Sequence, residues 1–343
     1  MRRLVQAIAV GTAIGAASLG AAAPALACAG LIGSNGAVNL GRTTTLAAYH
    51  DGVEHYVTAF KFQGGGGQFG TLIPLPDVPS SVERGGAWTL QRLIRETEPR
   101  IALRSAVAES ALPAPTAEVL LQTRVDALDL TVLKGGAPAV AAWATEHGFR
   151  LSPDAPEVLE FYAERSPIFL AAVFDGDAAL ARGQQLGDGT PVHITIPTSN
   201  PWVPLRILGL GRQPTDQVQA DVFLLTDQIP AMLPHMGNGL ALTHSAAADQ
   251  RLLDDLRSDD GMAWVPASAW LTKVRVNSAT ADLRYDLAID ASGRGNPSRM
   301  AAGLEPMSPA EELAQPAAIG AGAMMLVAAP AFMRGRRARR RQP

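Results

Sequence analysis

Residues 42–62 read RTTTLAAYHDGVEHYVTAFKF. Two runs rich in β-branched and aromatic residues, 42–50 and 53–62, flank Asp51-Gly52, a two-residue turn signal, and together they predict a β-hairpin. The turn length sets the register, with His50 opposite Val53 and Ala48 opposite His55. His50 and His55 then stand diagonally on one face, about 7 Å apart. Two imidazoles in that arrangement can begin a metal site, which needs three or four ligands. No further ligand follows at a recognisable spacing, and the competing reading is the polar outer face of an edge hairpin.

Downstream, glycines 64–67 form a crossing and FGTLIPL (69–75) reads as a strand closed by PLPDVP. The 3.6-residue pattern predicts helices over 87–97, 138–147, 156–165 and 249–256. Pro99 stops the first and Gly148 the second. IFLAAVF (168–174) is a continuous apolar run, expected as a buried strand. Further strands are expected at 192–196, 204–210 and 220–226. Residues 270–276 and 283–289 suggest a final strand pair, and 118–133 is strand-like in its second half. PHMGNGLALTH (234–244), with His235 and His244, reads as loop. The elements mix without a regular βαβ rhythm. They predict an α+β fold, largely antiparallel sheet with several short helices, plus a cleaved N-terminal signal peptide and one C-terminal transmembrane helix.

The ends carry the topology. Residues 1–27 read as a signal peptide: Arg2 and Arg3, an uncharged apolar run, Pro24, then Ala25-Leu26-Ala27 as an A-x-A cleavage signal. Cleavage between Ala27 and Cys28 makes Cys28 the first mature residue and a candidate for lipidation, although the usual lipobox leucine is displaced to Leu26. At the other end, 317–333 (AAIGAGAMMLVAAPAFM) holds 17 uncharged residues. As a helix it is about 26 Å long, close to a bilayer core of about 30 Å. Arg334, Arg336, Arg337, Arg339, Arg340 and Arg341 follow at once as a stop-transfer, positive-inside block. The expected layout is an extracytoplasmic domain over 28–297 with a possible lobe split near 100–117. A juxtamembrane stalk over 298–316, a transmembrane helix and a cytoplasmic tail over 334–343 complete it.

Composition narrows the function classes. The chain has 343 residues, 47% hydrophobic and 18% charged, with net charge −3. Of its 29 basic residues, 21 remain once the eight arginines of the two ends are set aside, against 32 acidic. The middle is therefore about −11, which disfavours a nucleic-acid partner. The single cysteine excludes an intramolecular disulfide. No G-x-S-x-G is present, and Ser34 in GLIGSNG precedes no helix. Asp254, Asp255, Asp259 and Asp260 lack the spacing of a calcium loop and read as a solvated helix end. No cofactor is expected. Membrane lipid, through the C-terminal helix, and an envelope component are the expected partners. The expected role is a binding or envelope-scaffold module, with a cell-envelope hydrolase or metal-dependent enzyme as the alternative.

Several stretches, in order, resemble one family: CAGLIGSNGAVNL, RTTTLAAYHDGVEHYVTAFKF, FGTLIPLPDVP, GGAWTLQRLIRETEP, ADVFLLTD, and WLTKVRVN followed by ADLRYDL. Together they are similar to the secreted proteins grouped as domain of unknown function 2330. The resemblance covers about 28–290 and implies the same layout of signal, outer domain and frequent C-terminal membrane helix. It departs in reading CAG where many members show CGG, and it implies no catalytic residues.

Overall fold

The computed structural model describes residues 30–33, 36–37, 42–61, 68–98, 119–181, 183, 189–237, 239–292 and 294–306. The described residues up to Glu305 belong to one compact unit. In chain order the strands begin with β1 (Gly30–Gly33), β2 (Gly36–Ala37), β3 (Thr43–His50), β4 (Val53–Lys61), β5 (Gln68–Leu75) and β6 (Ser81–Arg84). They continue with β7 (Val119–Val125), β8 (Leu128–Lys134), β9 (Ile168–Asp175), β10 (Gly189–Pro197) and β11 (Trp202–Val203). The last are β12 (Gln217–Thr226), β13 (Ala231–Leu233), β14 (Leu240–Ala247), β15 (Trp270–Ala279) and β16 (Leu287–Asp290). The α-helices are α1 (Thr89–Thr97), α2 (Gly136–Glu146), α3 (Ala155–Ala163), α4 (Gly176–Ala181) and α5 (Gln250–Ser258).

Three sheets form: β2-β1-β5-β9-β8-β7, β14-β15-β12-β3-β4-β10-β6 and β11-β16-β13. Every described pairing is antiparallel except β12 with β3. The two large sheets face each other across a shared core that includes Ile73, Leu130, Leu170 and Phe174 from one and Tyr56, Ile194, Val222 and Val274 from the other. Helices α2 and α3 cover the far face of the six-stranded sheet, packing Trp143, Leu159 and Tyr162 onto Leu72, Phe169 and Val173. Helices α1 and α5 cover the far face of the seven-stranded sheet, packing Leu90, Leu93, Leu252 and Leu256 onto Leu46, Val57 and Phe223. The layers run helix, sheet, sheet, helix, so the central strands are buried on both faces. That is why β9 reads as an unbroken apolar run: Leu170, Ala172 and Phe174 enter one core, Phe169, Ala171 and Val173 the other.

The expected mixed, mostly antiparallel fold with short helices is present. The hairpin turn has positive φ at both Asp51 (48°) and Gly52 (79°), the type I′ geometry that matches strand twist. His50 pairs with Val53 and Ala48 with His55, as the turn length requires.

Other expectations are corrected. The hairpin is central, between β12 and β10, and not at an edge. Residues 206–209 form a 3₁₀ turn, not a strand, because the Leu205 and Arg206 amides are drawn to the buried Asp286 carboxylate at 2.7 and 3.0 Å. The last two strands do not pair. β15 lies between β12 and β14, whereas β16 joins β11 and β13. The stretch read as loop around His244 is β14, whose mix of Leu, Ala and small polar side chains carries no clear strand pattern and whose ladder to β15 supplies the order. The first half of 118–133 is also a strand, with Asp126 at φ 55° turning β7 into β8. Packing continues past residue 297: Ala301 and Ala302 are buried, and Arg165 bonds the Ala301 carbonyl at 2.6 Å. Among the described residues no helix is long and apolar enough to cross a membrane. The signal peptide, the 100–117 connector and the 317–333 helix lie outside the described residues.

Candidate functional site

Alternation along β4 sends Glu54 and His55 to opposite faces of the seven-stranded sheet. His55 faces the α1/α5 side. There β10 pairs antiparallel with β4, setting Thr195 opposite His55 and His193 opposite Val57. His193 is thus the diagonal neighbour of His55, and its Nε2 lies 2.9 Å from His55 Nδ1. Trp264 closes the cluster, stacked on His55 with ring centroids 4.0 Å apart and planes 2° apart. It also stacks on His193 at 5.1 Å. Burial pushes both imidazoles down to about 4, helped by the His50 charge at His55 and by the His55 charge at His193. Both rings are therefore neutral at pH 7, and one donates its proton to the other.

His50 turns away from this pair. Its Nδ1 lies 2.6 Å from Asp227 and its Nε2 3.4 Å from Asp51. The two histidines singled out in the sequence share a face as expected, but the hydrogen-bonded partner of His55 is His193. Only the β4–β10 pairing, across 138 positions of chain, could have revealed it. Thr195 Oγ1 is 3.4 Å from His193 Nε2, the nitrogen already engaged by His55. A nucleophile–base–orienter chain needs the two different ring nitrogens of the base, so this trio does not form one. Among the described residues no group of three or more His, Cys, Asp or Glu side chains is placed to hold a metal ion.

On the other face, Glu54 is 1% exposed, and neither carboxyl oxygen has a hydrogen-bond partner. Burial lifts its pKa to about 8; the Trp202 main-chain amide acts in the opposite sense without reaching hydrogen-bonding geometry. Its cross-strand neighbour is Tyr49, whose hydroxyl donates to the Thr198 carbonyl at 2.9 Å. Burial, then the charges of Glu54 and Asp290, push the Tyr49 phenol up.

Farther along the His55 face, beyond the apolar patch under α1, lies an ion cluster the sequence did not announce. Asp221 is buried and meets Arg42 at 2.6 Å, Arg275 at 3.6 Å and Lys273 at 3.7 Å. Lys273 is itself buried, 3.5 Å from Glu98 at the end of α1 and 5.1 Å from the Phe223 ring centroid. Asp221 and Lys273 sit inside, whereas Arg42, Arg275 and Glu98 reach solvent, so the cluster runs from the interior to the surface. The cluster ties β3, β12, β15 and α1.

Two further carboxylates act as struts. Asp286 is fully buried and accepts from Tyr162, Leu205, Arg206 and Arg165. Asp259, expected on a solvated helix end, is instead 5% exposed. It accepts from the Ala87 and Trp88 amides and the Thr89 hydroxyl, which fastens the start of α1 to the end of α5. Ala27, Cys28 and the six C-terminal arginines lie outside the described residues.

A family model described as "Uncharacterized protein conserved in bacteria (DUF2330)" matches residues 22–228, more than half of the chain. The resembling stretches up to ADVFLLTD fall inside that range; WLTKVRVN and ADLRYDL lie beyond it. No curated protein matches. Among solved structures the chain is similar to a mutated baculovirus P35 after caspase cleavage, with TM-score 0.39 and 7% identity over 73% of this chain and 100% of that one. It is also similar to the caspase-8/P35 complex, with TM-score 0.36 and 8% identity over 74% and 91%. At those scores the likeness carries no argument.

Proposed function

We propose that this chain, which belongs to the bacterial family of domain of unknown function 2330, is an extracytoplasmic binding or envelope-scaffold module. In this reading the C-terminal end tethers it to the membrane. The observation that carries the reading is the charge layout: an acidic middle of about −11 between two uncharged apolar runs, each bordered by arginines. A short lipid-compatible helix followed by six arginines resists translocation, which leaves the body outside and the tail in the cytoplasm. The packed two-sheet body with its carboxylate struts suits a rigid platform, and its polar clusters spend their contacts on one another.

The test uses the full-length chain in a bacterial host. Membrane fractionation should place it in the membrane pellet, and protease added to intact spheroplasts should digest the body. Deleting 317–343 should release it to the soluble extracytoplasmic fraction. Affinity capture from solubilised envelopes should recover a defined partner. A full-length chain found free in the cytosol, or a deletion that leaves membrane association unchanged, overturns the topology. Capture of no envelope component at all overturns the binding role.

A further inference from the structure

We propose that Lys273 and Asp221 condense into an intramolecular isopeptide bond, with Glu98 carrying the protons. Alternation in the β12–β15 ladder brings the pair together. Asp221 stands opposite Arg275 and Phe223 opposite Lys273, so Asp221 and Lys273 are diagonal neighbours on the α1/α5 face. Both side chains are inside, and Lys273 Nζ lies 3.7 Å from Asp221 Oδ2 and 3.5 Å from Glu98 Oε1. The centroid of the Phe223 ring is 5.1 Å from the same nitrogen. The choice of lysine is informative. The chain has three lysines, Lys61, Lys134 and Lys273, among 29 basic residues. Among the described residues no arginine is buried as deeply as Lys273. An ion pair alone is better served by arginine, whose planar fork grips a carboxylate at two points. An amine is the cation that becomes a nucleophile on losing a proton.

The step balances within the cluster. Lys273 gives a proton to the Glu98 carboxylate, which passes it to an Asp221 oxygen. The neutral amine attacks Asp221 Cγ, the N–C bond forms, and the carbonyl electron pair moves onto oxygen. Arg42, 2.6 Å from Asp221 Oδ2, and Arg275, 3.6 Å from Oδ1, stabilise that oxyanion. Glu98 then moves a second proton from nitrogen to the hydroxyl, the C–O bond breaks, and water leaves. One ammonium and one carboxylate become one amide and one water, and Glu98 returns to its starting state. Two buried charges are costly, and a neutral amide removes both. The fold holds the reacting groups side by side, which removes the entropy of bringing them together. Glu98 and both arginines reach solvent and give the water an exit. The bond closes a loop that carries β13, β14 and α5. It constrains the unfolded chain as a disulfide does, in a chain whose single cysteine allows no internal one.

The experiment is a tryptic digest of the purified full-length chain, read by mass spectrometry. Modified Lys273 resists trypsin, so the expected product is a branched peptide of 213–251 joined to 258–275, lighter than its two parts by one water. Glu98→Gln, at the solvent-reaching end of α1, should keep the wild-type circular dichroism and lower the branched fraction at least tenfold. Lys273→Arg should abolish it. Linear 213–251 and 258–273 alone, from wild-type chain that circular dichroism shows to be folded, overturn the proposal. So does a branch joining 258–275 to 96–100, because the bond then runs to Glu98. An equal branched yield from Glu98→Gln also overturns it, since the step needs that carboxylate.

Discussion

Glu54 and His55 are adjacent in the chain, point to opposite faces of one strand, and respond to burial in opposite directions. Glu54 enters the core between the two sheets, where nothing offers its carboxyl a hydrogen bond, and its pKa rises to about 8. His55 enters the layer under α1 and α5, finds His193 and Trp264, and falls to about 4. Desolvation favours the neutral form in both cases, so an acid goes up and a base goes down. The lesson is one of partners. The histidines share a proton and tolerate burial; the glutamate stays protonated because it has no partner.

The largest test of this contrast is Glu54→Gln. The folded pKa of Glu54 is raised, so its favourable contribution is complete below 4.5 and disappears as pH rises through 8. Wild-type stability should fall by as much as about 4 kcal/mol between those limits. Glu54→Gln should match the wild type at pH 4.5 and exceed it at pH 9 in urea melts. Superimposed curves for the two proteins would refute the buried, unpartnered carboxyl.

The opposite limb belongs to the histidines. Their folded pKa values are depressed, so stability is full above 6.5 and is lost as pH falls toward 4. Partial exposure of His55 reduces the effect to roughly 2 kcal/mol. The double variant His55→Gln with His193→Gln should flatten that acid limb and leave the alkaline limb of Glu54 untouched. If it altered both limbs, the two faces would not be independent.

Removing the strut under α1 should blur the contrast from one side only. Asp259→Ala deprives the helix start of its acceptor, at about 1–2 kcal/mol. With α1 loosened, water should reach His55 and His193 and raise their pKa values toward 6.5 in an NMR titration, while Glu54 stays near 8. An unchanged histidine titration would mean α1 does not keep that face dry. The smallest effect is expected at His50→Ala. Its exposed pairs with Asp227 and Asp51 are worth about 0.5 kcal/mol or less. Losing the His50 charge should nonetheless move the His55 pKa upward, and a fixed value would contradict the electrostatic contact.

Much of the local structure was legible in residue order. Asp51-Gly52 set the hairpin register, Gly148 ended α2 at φ 72°, and the apolar run of β9 announced a strand buried on both faces. The misses share one cause. Residues 204–210 look like a strand, and 283–289 like the partner of 270–276, until Asp286, 81 positions after Leu205, draws in the Leu205 amide. β14 is Ala-rich and silent in isolation. His193 carries no motif, and Asp259 reads as one more surface acid. Each acquires its role from a partner distant along the chain.

The sequence by itself determined which residues alternate along each strand, where turns must fall, and that an acidic middle lies between two apolar, arginine-bordered ends. Those properties follow from covalent geometry, side-chain chemistry and charge, which act within a few residues. Only the tertiary structure decided that β3 pairs in parallel with β12, that β10 brings His193 to His55, and that the Glu54 carboxyl is buried without a hydrogen bond. Those outcomes depend on which faces are pressed together and dried, and burial is a property of the assembled layers.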